Sequence, residues 1–217
     1  MDLYAFILQN REILKVFYAL FIILVCFLIV LKSHRIFKLS SYEGIRYFRN
    51  AFLFYGLAFF SRYLLSFLIY ENVAFFLFEF FIVMAGFVLL YSLIWKKFEY
   101  SYSSLVNVKI LVLYLFALVI SVGDLLINNF YLMFLSQVIV FMSASIISYN
   151  NYLVHGKNKK FPRFYVAAMV LSLIVWILNA LAVVVFAFDQ AIIVNLYILN
   201  MLFFLLFLYG IIKASRG

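Results

Sequence analysis

Seven long apolar runs limit what this chain can fold into. Each has about 20 mainly apolar residues, the length that an α-helix needs to cross the hydrocarbon core of a bilayer. The runs are continuous rather than alternating, so they do not match the strands of a membrane barrel. The sequence therefore predicts an all-α, polytopic membrane protein with a single domain, residues 1–217, that forms a seven-transmembrane helix bundle. We place segments 1 to 7 at about 14–31, 48–70, 73–95, 105–127, 131–154, 164–188 and 191–213.

The composition excludes a water-soluble globule. Of the 217 residues, 70% are hydrophobic and 12% are charged, whereas a soluble domain has about 45–50% apolar and about 25% charged residues. Asp2, Arg11, Glu12 and Lys15 precede segment 1, and no small-residue cleavage motif follows them. We therefore expect segment 1 to remain as a membrane anchor.

The distribution of charge predicts the orientation. Most of the 17 Lys and Arg residues lie in the tail and in the connections after segments 1, 3 and 5. Because cytoplasmic loops collect Lys and Arg, we expect the N-terminus outside and the C-terminus in the cytoplasm, with the plasma membrane as the location. The net charge of +9 then reflects topology and attraction to the lipid bilayer. We expect no nucleic-acid partner, since no aromatic and basic recognition module lies outside the segments.

The chain lacks the residues of familiar catalytic and cofactor sites. Its one cysteine, Cys26, lies in an apolar run, and His34 and His155 lie in polar connections. This leaves no cysteine pair and no cluster of metal ligands. Nucleophile-elbow, zinc-protease and phosphate-loop motifs are also absent from the sequence. We expect a non-catalytic protein with no cofactor and no metal.

An offset of 117 residues brings two parts of the chain into register, which predicts a parallel internal repeat of three, one and three helices. The alternative is chance similarity between apolar helices. The aligned residues include Arg46 with Arg163, Phe59 with Trp176, and Arg62 with Asn179.

The layout resembles two families of seven-helix membrane proteins, but the motifs of both are missing. Microbial rhodopsins carry a Schiff-base lysine midway along the seventh helix, whereas the lysine of segment 7 here, Lys213, lies at its end. Small sugar transporters of the SWEET and PQ-loop type use membrane prolines as hinges. Here Pro162 opens segment 6 at the surface, where proline is structurally ordinary. The topology is thus rhodopsin-like without a retinal lysine.

Two charged residues within neighbouring segments predict an ion pair. Arg62 and Glu79 lie at similar sequence distances from the turn at Tyr70 and Glu71, so both would lie ~13 Å below it in a helical hairpin. An arginine fork suits a carboxylate in two parallel hydrogen bonds. The alternatives are a simple structural link between the two segments and a site where one partner also meets a ligand or a proton.

Other polar residues fall at similar depth in the half of the segments that we expect to face outward. Polar groups in lipid-embedded helices tend to face the bundle interior or a wet cavity, so we predict an outward-facing polar pocket. For Trp176, the alternative is that its side chain packs in the core of the bundle and contacts no ligand. The candidate ligand-binding residues are Arg62, Glu79, Asp124, Gln137, Trp176, Asn179, Asn195 and Asn200.

These features favour a receptor-like or sensory membrane protein that binds a small ligand in the outer pocket. Its basic inner loops would contact a membrane or cytoplasmic protein partner. One alternative is a transporter or channel for a small solute or ion. A second alternative is a non-catalytic subunit of a membrane complex.

Overall fold

The structure is a computed structural model that describes the backbone of residues 11–40, 42–98, 108–127, 129–155, 160–184 and 190–214. Side chains are described in these ranges except at 11–12, 96–98, 108–109, 155, 160–164, 183–184, 190–197 and 214. The described residues form seven α-helices and a short 3₁₀ turn at Leu65–Phe67. The helices are α1 (Arg11–Ser40), α2 (Glu43–Tyr63), α3 (Glu71–Phe98), α4 (Val108–Ile127), α5 (Tyr131–His155), α6 (Lys160–Val184) and α7 (Gln190–Ala214).

Five of these helices, α1, α3, α4, α5 and α6, are long and apolar enough to cross a bilayer. This agrees with a multi-pass integral membrane protein in contact with lipid. The described apolar part of α7 is shorter and covers Ile198–Lys213. Helix α2 does not reach the hydropathy of a span because it carries Arg46, Arg49 and Asn50 in its first half.

The ends of α1 and α2 differ from the sequence prediction, and both differences change where charged residues lie. Helix α1 continues to Ser40, so Lys32, Arg35 and Lys38 lie on the helix and not in a connection. Helix α2 ends at Tyr63 instead of continuing to about residue 70. The 3₁₀ turn and a bend follow it, with exposed side chains at Phe67, Leu68 and Tyr70. Hydropathy could not reveal this break because the residues of the connection are as apolar as those of the helix.

The helices pack as a closed bundle with α4 at its periphery. Each helix contacts its neighbours in sequence, α1 also contacts α7, and α3 also contacts α5. Among the described helices, the extensive contacts of α4 are with α3 and α5. Only 17% of the most apolar stretch of α4 is buried inside the bundle. Its exposed apolar face is suited to lipid.

A cluster of aromatic rings forms the centre of the bundle, and we call it the aromatic partition. It consists of Phe52 and Tyr55 of α2 and Phe203, Phe204 and Phe207 of α7, all of them buried. Phe52 has ring centres 5.1 Å from Phe207 and 6.2 Å from Phe204, and Tyr55 lies 5.5 Å from Phe204. Edge-to-face geometry of this kind stabilises aromatic packing. The partition links α2 to α7 across the bundle.

The internal repeat stays a prediction, and the structure describes two further residue pairs at the offset of 117 residues. Ala51 and Ala168 are both buried, at 0% and 2% exposure. Phe48 and Tyr165, which align at the same offset, contact each other with ring centres 6.1 Å apart.

Candidate functional site

A cavity of about 590 Å³ opens within the bundle, at the end where α1, α3 and α5 begin and where α2, α4 and α6 end. We call this the first end of the bundle. Small-molecule sites usually have volumes of about 300–1,000 Å³. The cavity is therefore of the size that holds a small ligand.

The wall of the cavity combines aromatic rings with a few polar groups, as ligand sites usually do. Four charged side chains and four asparagines line it together with aliphatic residues. The aromatic residues are Tyr18, Tyr55, Phe59, Tyr63, Phe75, Phe78, Phe130, Phe134, Trp176, Phe203 and Phe204. The charged and amide residues are Lys15, Arg62, Glu79, Asp124, Asn72, Asn129, Asn179 and Asn200.

Arg62 lies in the last turn of α2 and lines the cavity over an aromatic ring. Its guanidinium carbon lies 3.3 Å from the ring centre of Phe75 and 5.8 Å from that of Phe78. A cation over a ring face is attracted by the quadrupole of the ring. The positive charge also lies at the carboxyl end of a helix, where the helix dipole favours it.

The predicted ion pair between Arg62 and Glu79 is not among the contacts of the residues that the structure describes. Because α2 ends at Tyr63, Arg62 lies close to the first end of the bundle. Glu79 lies ~12 Å along α3 from its start at Glu71. The guanidinium meets Phe75, one turn nearer the first end than Glu79. The prediction failed because it counted the connecting residues as part of α2.

Among the charged residues of the cavity wall, Glu79 lies farthest along its helix from the first end of the bundle. It is only 5% exposed, and its carboxylate oxygen Oε2 has no hydrogen-bond partner among the described residues. The charges of Asp124 and Arg62 act on it electrostatically. A buried carboxylate without a hydrogen-bond donor is costly, especially within a membrane.

Asp124 also lines the cavity, but both of its carboxylate oxygens are occupied. The backbone N–H of Leu132 donates to Oδ1 at 2.9 Å, and that of Met133 donates to Oδ2 at 2.7 Å. These donors are in the first turn of α5, which has no partners for them within its own helix. Asp124 therefore caps α5 from the end of α4. This gives Asp124 a structural role that sequence reasoning did not suggest.

Gln137 lies outside the cavity wall and links α5 to α3. It is fully buried, and its Nε2 donates to the backbone oxygen of Ile82 at 3.3 Å. Gly86 makes room for it, since a Cβ atom at Gly86 would lie 2.5 Å from Gln137 Oε1. The structure thus separates Gln137 from the other candidates.

The remaining candidates come from α6 and α7. Trp176 and Asn179 line the cavity from α6, and Asn200 lines it from α7. The Trp176 ring stacks on Phe141 at 6.2 Å, and Asn179 Nδ2 donates to the Val175 backbone oxygen at 2.8 Å. The side chain of Asn195 lies outside the described residues.

Six of the eight candidates therefore meet at one cavity, and sequence reasoning missed other members of its wall. Lys15, Asn72 and Asn129 were not candidates because they lie near the ends of helices or in a connection, where polar residues are common. The aromatic wall could not be singled out among 29 Phe and 17 Tyr residues. Among the aromatic residues of the wall, sequence analysis indicated only Phe59 and Trp176, which align with each other in the proposed internal repeat.

A second cavity of about 270 Å³ lies at the opposite end of the bundle. Its wall includes Ser33, Tyr42, Ser92, Tyr165 and Phe207. The rings of the aromatic partition separate it from the first cavity, because Phe203 and Phe204 line one and Phe207 lines the other.

Comparison with known proteins gives a short stretch of similarity. No family model matches the chain, and no solved structure matches it. An uncharacterised protein of Archaeoglobus fulgidus is 43% identical over 58 residues. The match covers 27% of this chain and 26% of that relative, so it does not assign the chain to a family.

Proposed function

We propose that the protein is a non-catalytic, receptor-like membrane protein that binds a small ligand in the cavity at the first end. The observation that carries the proposal is Glu79, a buried carboxylate that lines the cavity and has an oxygen without a described hydrogen-bond partner. A structural role would provide donors for such a group, as it does for Asp124. A bound ligand would supply the missing partner.

The proposed orientation places the first end outside the cell. Basic residues of α1 and α2, such as Lys38, Arg46 and Arg49, lie at the opposite end. Cytoplasmic sides are rich in Lys and Arg, so this end would face the cytoplasm and contact a protein partner.

Thermal unfolding of the purified protein with three sets of compounds tests the proposal. The sets are small amines, carboxylates and neutral aromatic compounds. A ligand that binds the native state raises the unfolding temperature. We expect at least one set to do so, and we expect Asn179→Trp, which fills the cavity, to abolish the effect. Leu178→Trp is the matched control because Leu178 lies outside the cavity wall and is 36% exposed. Stabilisation by no set would contradict the proposal.

A second candidate function is transport, which the second cavity favours. The two cavities lie at opposite ends of the bundle with the partition between them, so a path through the partition would cross the membrane. Rearrangement of the rings of Phe203, Phe204 and Phe207 would connect them. The close contacts between the rings of the partition favour binding without passage, which is why we place transport second.

Flux into liposomes separates the two functions. A receptor-like protein binds its ligand without moving it, whereas a transporter carries the compound that stabilises it. Uptake that Asn179→Trp abolishes and Leu178→Trp preserves would favour transport. Stabilisation without uptake would favour the receptor-like function.

A further inference from the structure

The four charged residues of the cavity wall differ in how their charges are satisfied. Asp124 accepts two backbone hydrogen bonds. Arg62 lies over Phe75, and Lys15 has interactions of its own. Glu79 alone among these four has a buried side-chain oxygen without a described hydrogen-bond partner. Among the charged groups of the wall, the unmet requirement is therefore for a hydrogen-bond donor to Glu79, and a positively charged donor satisfies a carboxylate best.

The depth of Glu79 indicates where that donor would lie. Glu79 is ~12 Å along α3 from its start, whereas Arg62 is in the last turn of α2. A cation bound to Glu79 would therefore lie deeper in the cavity than the guanidinium, whose charge also acts on Glu79. It would also be attracted by Asp124, which acts on Glu79 electrostatically.

The aromatic wall suits a cation as well. Phe78 is the sequence neighbour of Glu79, and its ring lies 6.2 Å from that of Phe59. The guanidinium of Arg62 already lies over the ring of Phe75 in this cavity, so the wall accepts a cation on a ring face. Ring faces and a carboxylate together are the chemistry that binds organic ammonium groups.

We infer that the ligand of this cavity is a small organic cation whose ammonium group binds Glu79 and whose apolar body packs against the aromatic wall. This inference rests on the proposed function and names the class of ligand. It predicts selection by charge among molecules of similar shape.

Three probes of similar shape and different charge test the inference: benzylammonium, benzyl alcohol and benzoate. Their dissociation constants for the full-length protein are measured by thermal shift and by calorimetry. We expect benzylammonium to bind at least about tenfold more tightly than the other two. Glu79→Gln keeps the shape of the side chain and removes its charge, and we expect it to abolish this preference.

Two further variants separate a lost contact from a disturbed fold. Glu79→Asp keeps the charge and should retain part of the preference for benzylammonium. Glu71→Gln removes an exposed acidic group at the start of the same helix, outside the cavity wall, and should leave binding unchanged. If Glu71→Gln weakens binding as much as Glu79→Gln, the preference for benzylammonium comes from the general negative charge of α3. The proposed contact with Glu79 is then wrong.

Binding of the three probes to the Asn179→Trp variant shows whether the cavity binds a ligand of another charge or no ligand at all. If benzoate or benzyl alcohol binds more tightly than benzylammonium and Asn179→Trp blocks it, the cavity binds a ligand but the ligand is not a cation. If no compound of any charge binds in the cavity, the proposed function fails and the inference fails with it.

Discussion

Replacing Asp124 should destabilise the protein far more than neutralising Glu79, although both are buried acidic residues in the wall of one cavity. Asp124 accepts hydrogen bonds from the N–H groups of Leu132 and Met133. A hydrogen bond to a charged group contributes about 1.5–3 kcal/mol, and an unsatisfied buried donor costs about 1–3 kcal/mol. Because the two bonds share one carboxylate and are not additive, we expect Asp124→Ala to lower the free energy of unfolding by about 3–5 kcal/mol.

The matched comparison is Glu79→Gln. This change removes a buried charge, and the oxygen Oε2 has no described hydrogen bond to lose. The free energy of unfolding should therefore fall by less than about 1 kcal/mol, or it should rise. Asp124→Asn keeps one acceptor oxygen and should give an intermediate loss.

Thermal unfolding in detergent, followed by tryptophan fluorescence, measures these differences. A chain of this size loses about 2–4 °C in Tm per kcal/mol, so Asp124→Ala should lower Tm by roughly 10 °C. Equal losses in Asp124→Ala and Glu79→Gln would refute the distinction between a capping and a ligand-binding carboxylate.

Further predictions concern helix packing and the cation over Phe75. Gly86→Ala should lower the free energy of unfolding by about 1–3 kcal/mol, because the new Cβ displaces the side chain of Gln137. Gly210→Ala, where a Cβ would meet nothing within 4 Å, should be neutral or stabilising by up to about 1 kcal/mol, and equal losses at both glycines would contradict the packing. Phe75→Leu should cost about 0.5–2 kcal/mol from loss of the cation–π contact, and the double variant with Arg62→Gln should cost less than the sum of the single changes. Additive losses would refute that contact.

The sequence predicted the class of fold and the cavity more successfully than it predicted individual contacts. Apolar runs of membrane-spanning length depend only on local composition, so the helices could be predicted from the sequence alone. Polar residues such as Arg62, Glu79 and Asn179 are conspicuous in such runs, and the cost of exposing them to lipid brings them together at the cavity.

The features that could not be predicted from the sequence depend on contacts between different helices and connections. The end of α2 at Tyr63 could not be predicted, because the residues that follow it are as apolar as the helix itself. Since α2 ends there, Arg62 lies closer to the first end of the bundle than Glu79 does. The role of Asp124 depends on backbone donors eight and nine residues away across a connection. The position of Gln137 depends on the space beside Gly86 in another helix. Such relations cannot be inferred from the spacing within one segment.

Cysteine labelling with a charged, water-soluble thiol reagent tests most directly whether a hydrated ligand cavity exists inside the bundle. Native Cys26 is buried, at 1% exposure, so the unsubstituted chain serves as a blank. Asn179→Cys should react because Asn179 lines the cavity. Leu178→Cys, at nearly the same depth on α6 but outside the cavity wall, should not react because it would face lipid. Reaction of Asn179→Cys alone, on addition of the reagent outside the cell, is the result that we predict. Equal reaction at both positions, or none at Asn179→Cys, would contradict the cavity.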